Sequence, residues 1–340
     1  MKKYIFTLVT FLFSLSLLNS TIITVSNNPA IPAQYTDLQE AIDDASPGDT
    51  IYVHGSSFDY GTADINKELH LIGAGFHPLR ESSNKSEASI EFGSEADNSS
   101  ITGFDLYSVS RQFSSIVTNH YIVIQRCYVH SYIYISGNNW LIRNNILEII
   151  DTDYLGNIII SNNVFTGRSY NQAGIKDSDQ SSVIIKNNIF INPAYSSLFA
   201  FQNVENAVIY NNIFFYIAPS GCENCIFNNN LTYQTEQNSI PYGNNSGSDN
   251  IIGEDPLFVD AEEDVFSIYY NYQLQETSPG HEAGTDDTDI GLYGGSNPWP
   301  EEDILSGEPA IPQVRTLEIL NTTVGQDGEV RFKSNAEKND

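Results

Sequence analysis

The stretch VIIKNNIF, Val183 to Phe190, sets two asparagines between two apolar pairs. Neither an ordinary strand nor an ordinary helix favours paired asparagines in its interior. Near copies follow the same plan: LIRNNIL from Leu141, IISNNVF from Ile159, VIYNNIF from Val208 and a looser IFNNNL from Ile226. Aligned on the first asparagine these units stand at Asn144, Asn162, Asn187, Asn211 and Asn229, and VIQRCYV fits one unit earlier with Arg126 in the asparagine place. The steps from 126 onward are therefore 18, 18, 25, 24 and 18 residues. Helical hairpin repeats are longer than this and leucine-rich repeats carry a different consensus, whereas one coil of a parallel β-helix fits.

Alternation assigns directions. Ile142 and Ile185 point into the coil and Arg143 and Lys186 point out, in register with Gln125, Ser161, Tyr210 and Asn228. The asparagine pair then falls at the corner closing each short strand. Asparagine accepts left-handed backbone angles there, and successive amides can stack as a ladder. This gives the NN pairs a structural role that needs no ligand. An open coil end exposes unpaired backbone, so a cap is expected. YTDLQEAIDDASPG supplies one: Thr36 and Gln39 form a capping box, Leu38, Ala41, Ile42 and Ala45 an apolar face, and Pro47-Gly48 a stop. Strands are predicted at Ile51 to Val53, Leu69 to Ile72, Ile90 to Phe92 and Ile101 to Leu106.

The chain begins with Lys2 and Lys3 and an apolar run from Tyr4 to Leu18, the pattern of an export signal ending near Ser20. The run is short for a membrane span, and no other stretch is long enough. A secreted, periplasmic or cell-surface location is expected. Removing both lysines takes the formal net charge from -28 to about -30, a surface that repels nucleic acid and anionic lipid. The acidity is uneven: Glu254 to Glu308 contains no Lys or Arg, while the repeats carry Arg111, Arg126, Arg143, Arg168, Lys176 and Lys186. An anionic ligand would choose the repeats. Three cysteines, Cys127, Cys222 and Cys225, make no metal set by spacing; Cys222 and Cys225 form a local disulfide or remain small buried thiols.

The opening YTDLQEAIDDASPGDTIYVHG, the strands LHLIGAG and SITGFDL, the NN coils and the closing DPLFVD and YQLQETSPGHEAGTDDTDIGLYGG resemble secreted bacterial right-handed parallel β-helix proteins, especially those of Bacteroidota, within the pectate-lyase-like superfamily. The likeness spans about Ile22 to Gly295. It implies an all-β, right-handed, single-stranded parallel β-helix of roughly ten coils, with a capping helix and a small C-terminal β tail. The domain plan is a signal peptide at 1–20, the β-helix with its cap at 21–295, an acidic Pro-rich linker at 296–315 and a β-hairpin at 316–340. That superfamily holds lyases, glycosidases, epimerases and coils without a reaction, so the fold does not choose the chemistry. The R-x-P-x-x-R pattern of pectate lyases and the N-T-D, G-H-G and R-I-K motifs of polygalacturonases are absent, and no active-site residue carries over.

Candidate residues follow from position. GRSYNQAGIKDSDQSS, Gly167 to Ser182, makes the 25-residue step and is expected to protrude, where a rigid scaffold commonly carries function. Within it Arg168 and Lys176 suit uronate elimination, one cation neutralising the carboxylate and the other removing the adjacent proton. Asp177 and Asp179, roughly 6 to 7 Å apart on extended chain, suit inverting glycoside hydrolysis. In YVHSYIYI, His130, Tyr132 and Tyr134 fall on one face and suit stacking on sugar rings. With Arg143 and Lys186 they form the expected ligand surface. Asp286, Asp287 and Asp289 in GTDDTDIG offer calcium ligands without a full EF-hand loop, and the resemblance instead makes Asp289 an acceptor of backbone hydrogen bonds in a terminal coil or cap. The expected activity is polysaccharide binding along the coil; a polysaccharide lyase or glycosidase, or a structural or adhesive coil, are the alternatives.

Overall fold

A computed structural model describes residues 20–76, 85–112, 117–152, 156–167, 174–178, 182–191, 199–235, 239–261, 266–300, 312–319 and 332–338. The stretch read as an export signal lies outside them, apart from Ser20. Ten parallel strands form one sheet, each from a successive coil, beginning with Ile22–Val25 and Asp49–Val53 and running through Leu141–Arg143, Ile158–Ser161 and Val183–Lys186 to Ile226–Asn228. A second parallel sheet of 13 strands takes the chain beyond the corner that closes each strand of the first. Its longer members, Asp105–Arg111, Tyr128–Ile135 and Ile146–Thr152, pass through register breaks that turn the strand onto a further face. Beyond the long insertion that face is continued by Ile175–Ser178, Phe201–Glu205 and Cys222–Glu223. The fold is the expected parallel β-helix.

The first residue of each pair makes the corner. Arg126, Asn144, Asn162, Asn187, Asn211 and Asn229 all have φ between 51 and 57°, the left-handed region that asparagine tolerates better than most residues. The second residue enters the coil. Asn145, Asn163, Asn188, Asn212 and Asn230 are fully buried. Asn188 shows the pattern: its Oδ1 accepts from the backbone N–H and side-chain amide of Asn163 at 2.9 and 3.0 Å, and its Nδ2 donates to Asn212 Oδ1 at 2.9 Å and to the Ile160 carbonyl at 3.0 Å. The ladder thus satisfies buried groups that the turning backbone leaves without strand partners. Cys127 and Cys225 occupy the equivalent place in their own corners, their backbone N–H groups donating to Asn145 and Asn245.

Inside the coil, Phe165, Phe190 and Phe214 of the second sheet stack with centroids 4.3 and 5.1 Å apart, and the first sheet contributes a column of fully buried Ile142, Ile160, Ile185 and Ile209. The cap is the helix Leu38–Asp44, with Leu38, Ala41 and Ile42 buried on the first coils. Its N-cap is Asp37, whose carboxylate accepts the Glu40 N–H at 2.9 Å, and not Thr36. Gln39 instead exchanges hydrogen bonds with the backbone of Asp64 and so pins the helix to the coil. Aspartate outcompetes threonine because its carboxylate also meets the positive end of the helix.

The chain after the last coil returns along the outside. Amide groups of Asn229, Asn162 and Asn144 donate to carbonyls of Ala283, Leu292 and Gly294, and Asn297 in turn, and Trp299 donates to the Asn162 carbonyl at 2.7 Å. This strap, with the pair Phe258–Asp260 and Asn271–Leu274, buries the outward residues Ile146, Val164, Ile189, Ile213 and Leu231 under Phe258, Phe266, Tyr272, Ile290, Leu292 and Trp299. The closing segment is therefore a lengthwise cover, where the resemblance suggested a terminal coil or cap. Asp289 accepts the Glu282 N–H at 2.9 Å, the backbone role expected of it. Strands Pro312–Ile319 and Phe332–Lys338 pair as an antiparallel hairpin.

Replacing Asn188 by Ala strands the Asn163 donors inside the coil. We expect a loss of at least about 2 kcal/mol in denaturant unfolding, against less than about 0.5 kcal/mol for the exposed Glu95→Gln. Ending the chain at Ile252 uncovers the apolar row beneath the strap, and dye binding to exposed apolar surface should rise with loss of solubility.

Candidate functional site

The face left uncovered by the strap carries a row of polar residues. Pairing registers place Tyr134, Asp151, Lys176 and Gln202 side by side on four successive coils, a spacing of about 4.8 Å per step. One coil earlier Arg111 reaches across: its Nη2 donates to the Tyr134 hydroxyl at 3.3 Å and its guanidinium lies 5.0 Å from that ring's centroid. Lys176 Nζ sits 2.8 Å from Asp151 Oδ2, with the two side chains 23% and 21% exposed. That exposure leaves both groups open to exchange partners with a ligand. Asp177, at φ 60°, turns the chain beyond Lys176 and accepts from Asn203 at 2.8 Å. Cations, a phenol and carboxylates from consecutive coils thus gather on one face.

The expected site residues distribute unevenly over the coil. Lys176, Asp177 and Tyr134 lie on this face; Arg168 and Asp179 fall outside the described residues. Arg143 and Lys186 point outward from the first sheet in the register expected for them, beside Gln125, Ser161, Tyr210 and Asn228. Arg143 donates to Gln125 at 2.8 Å and to Asn297 of the strap, and burial lowers its guanidinium pKa. Lys186 lies 5.9 Å from the centroid of Tyr210. The His-Tyr-Tyr stripe is divided, because the strand breaks register between Val129 and Tyr132. His130 therefore faces another neighbourhood from Tyr134, and two-residue alternation does not survive the break. In the strap, Asp286 accepts from the Thr288 hydroxyl at 2.7 Å and Asp289 from His281 and Glu282. Among the described residues no three acidic, histidine or cysteine side chains converge as a metal would require.

His130 meets a carboxylate that sequence reasoning missed. Asp105 has no exposed side-chain surface, and both Lys85 Nζ and His130 Nε2 contact its oxygens. Its burial opposes ionisation, yet the contacts with His130 and Lys85 prevail and hold its pKa below the ordinary value. Asp105 stands in register with Tyr128 and hence with Ile146. A carboxylate at a position that is apolar in the later coils was the available signal. Lys85, Arg111 and Asp151 had none, since each is one charged residue at the edge of a strand. The cysteines are free thiols; burial pushes Cys127 up to about 12, and the hydrogen bond with Cys225 together with burial raises Cys222.

No protein-family model matches the chain, and no curated protein sequence does. Among solved structures, the crystal structure of alginate lyase from Paenibacillus sp. str. FPU-7 aligns with 68% of this chain and 99% of its own, at 14% identity and a TM-score of 0.29.

Asp105 yields a pH prediction. Its pKa is lower in the folded than in the unfolded chain, so its contribution is fully present above the unfolded value of about 4 and is lost as pH falls through the folded value. Acid unfolding followed by circular dichroism should show a shallower fall of stability below pH about 4 in Asp105→Asn than in the parent chain.

Proposed function

We propose that this protein is an exported β-helix that binds acidic polysaccharide along its side, on the face of Arg111, Tyr134, Asp151, Lys176 and Gln202. The observation that supports this reading is the outward row of Tyr134, Asp151, Lys176 and Gln202, in which successive coils present a phenol, a carboxylate, a cation and an amide, with Arg111 of the preceding coil reaching the Tyr134 hydroxyl. A linear polymer laid along the coil axis meets one such group at each step of about 4.8 Å. Tyr134 offers a flat apolar face with a polar rim to a sugar ring, and Arg111 behind it fixes the ring's tilt. Lys176 is held by Asp151 in a partly exposed pair, the kind worth little to folding, so a ligand carboxylate can take over the ammonium at small cost. The strongly acidic remainder of the surface confines an anionic ligand to such places.

Catalysis is the second reading, favoured by the closeness of proton-carrying and cationic groups on neighbouring coils. In an elimination, Lys176 removes the proton beside a uronate carboxylate. A coil without a sugar site is the third.

Calorimetric titration with oligouronates distinguishes them. Binding that weakens about ten-fold, or 1.4 kcal/mol, in Arg111→Ala and in Lys176→Ala, and that falls with added salt, is the expected result. Growth of absorbance from an unsaturated product, lost in Lys176→Ala, identifies the lyase. Silence across acidic and neutral glycans with a folded protein favours the structural coil.

A further inference from the structure

A second group of reactive side chains lies apart from the binding row, on the outward side of the second sheet. Asp105, Lys85 and His130 come from three neighbouring passes of the chain. The Asp105 side chain is wholly buried, while those of Lys85 and His130 are 37% and 38% exposed. A buried carboxylate thus holds two groups that both reach solvent. Because Asp105 is ionised, the hydrogen between it and His130 sits on Nε2, and the neutral ring carries its lone pair on Nδ1. Among the described residues, Nδ1 makes no hydrogen bond. The ring is further fixed by Tyr128, whose centroid is 4.0 Å away at 30°, and Tyr128 rests against Phe76. Tyr107, 65% exposed, lies on the same stretch of strand as Asp105.

We infer that His130, oriented by Asp105 and flanked by Lys85, is the general base of an active centre that hydrolyses neutral acyl esters carried on saccharide hydroxyls. The saccharide half of this statement rests on the polysaccharide reading above; the ester chemistry rests on the three side chains. With neutral His130 the trio carries no net charge, since Lys85 is balanced by Asp105. It therefore lacks the uncompensated cation that would draw in a sugar carboxylate. It retains ammonium N–H donors for a carbonyl oxygen that becomes negative during reaction. The trio holds one carboxylate, already engaged, and so lacks the acid and base pair of a glycoside hydrolase.

The step balances without an added cofactor. A water oxygen adds to the acyl carbon and its proton passes to His130 Nδ1, while Lys85 donates to the oxyanion. The ester C–O bond then breaks, the departing sugar oxygen takes the proton from Nδ1, and a carboxylic acid leaves and ionises in solvent. Tyr107, 65% exposed and two residues along the strand from Asp105, offers aromatic surface for the sugar.

The test uses the full exported chain, an O-acetylated oligouronate and 4-nitrophenyl acetate. We expect acetate release from the oligouronate, at least about 100-fold slower in His130→Gln, which keeps a hydrogen-bonding side chain against Asp105 but no base. Free imidazole should restore part of the activity of His130→Ala, a recovery that a merely structural role would not give. Thermal unfolding of both variants establishes that they remain folded. No acetate release by the parent chain above the rate in buffer, or a folded His130→Gln within about three-fold of the parent, overturns the inference. Calorimetry on the same oligouronate separates the two readings. Binding without acetate release overturns the esterase and leaves the polysaccharide reading standing. His130-dependent hydrolysis of 4-nitrophenyl acetate without oligouronate binding overturns the saccharide half and supports the ester chemistry.

Discussion

The buried asparagine ladder is the interaction on which the rest of the molecule depends. Each coil must turn sharply between two strands, and the turn leaves backbone donors and acceptors facing an interior without water. An unpartnered buried donor costs about 1 to 3 kcal/mol, and the cost recurs with every coil. Asn145, Asn163, Asn188, Asn212 and Asn230 remove it by linking each turn to the next through one amide. The same contacts set the register between coils, because the amide of one residue reaches only its counterpart.

A fixed register makes the outer surface a set of rows, and the rows differ in what they do. The row just after the corner is apolar through most of its length and is sealed by the returning strap. That strap is held by the first asparagine of each pair, so the two members of an NN unit divide the work: one organises the interior, the other fastens the exterior. The face beyond the register breaks remains uncovered and polar. The longer repeat steps add their residues after the corner, so the asparagine pairs on either side keep their ladder contacts.

Much of the architecture was legible because it repeats. The 18-residue and 24 to 25-residue steps gave the coil, the alternation around Arg143 and Lys186 gave the first sheet's outward row, and both agree with the observed pairing. Legibility failed where a local rule met a competing contact. Asp37 displaced Thr36 at the helix cap. The break after Val129 sent His130 and Tyr134 to different neighbours. The site was harder to read than the fold, since Lys176 was identified from its loop while Arg111 and Asp151 come from coils 25 or more residues upstream. Their closeness is a product of coil stacking, and one asparagine-aligned repeat at a time does not show it.

The open face formed by neighbouring coils is the proposed ligand surface, and a crystal structure with a bound oligouronate tests it most directly. Sugar density is predicted to run along the coil axis over Tyr134 and Lys176, with a carboxylate beside Arg111 or Lys176 and the Asp151 contact loosened. Ordered oligosaccharide confined to the first sheet, beside Arg143 and Lys186, or held only under the strap, would contradict it.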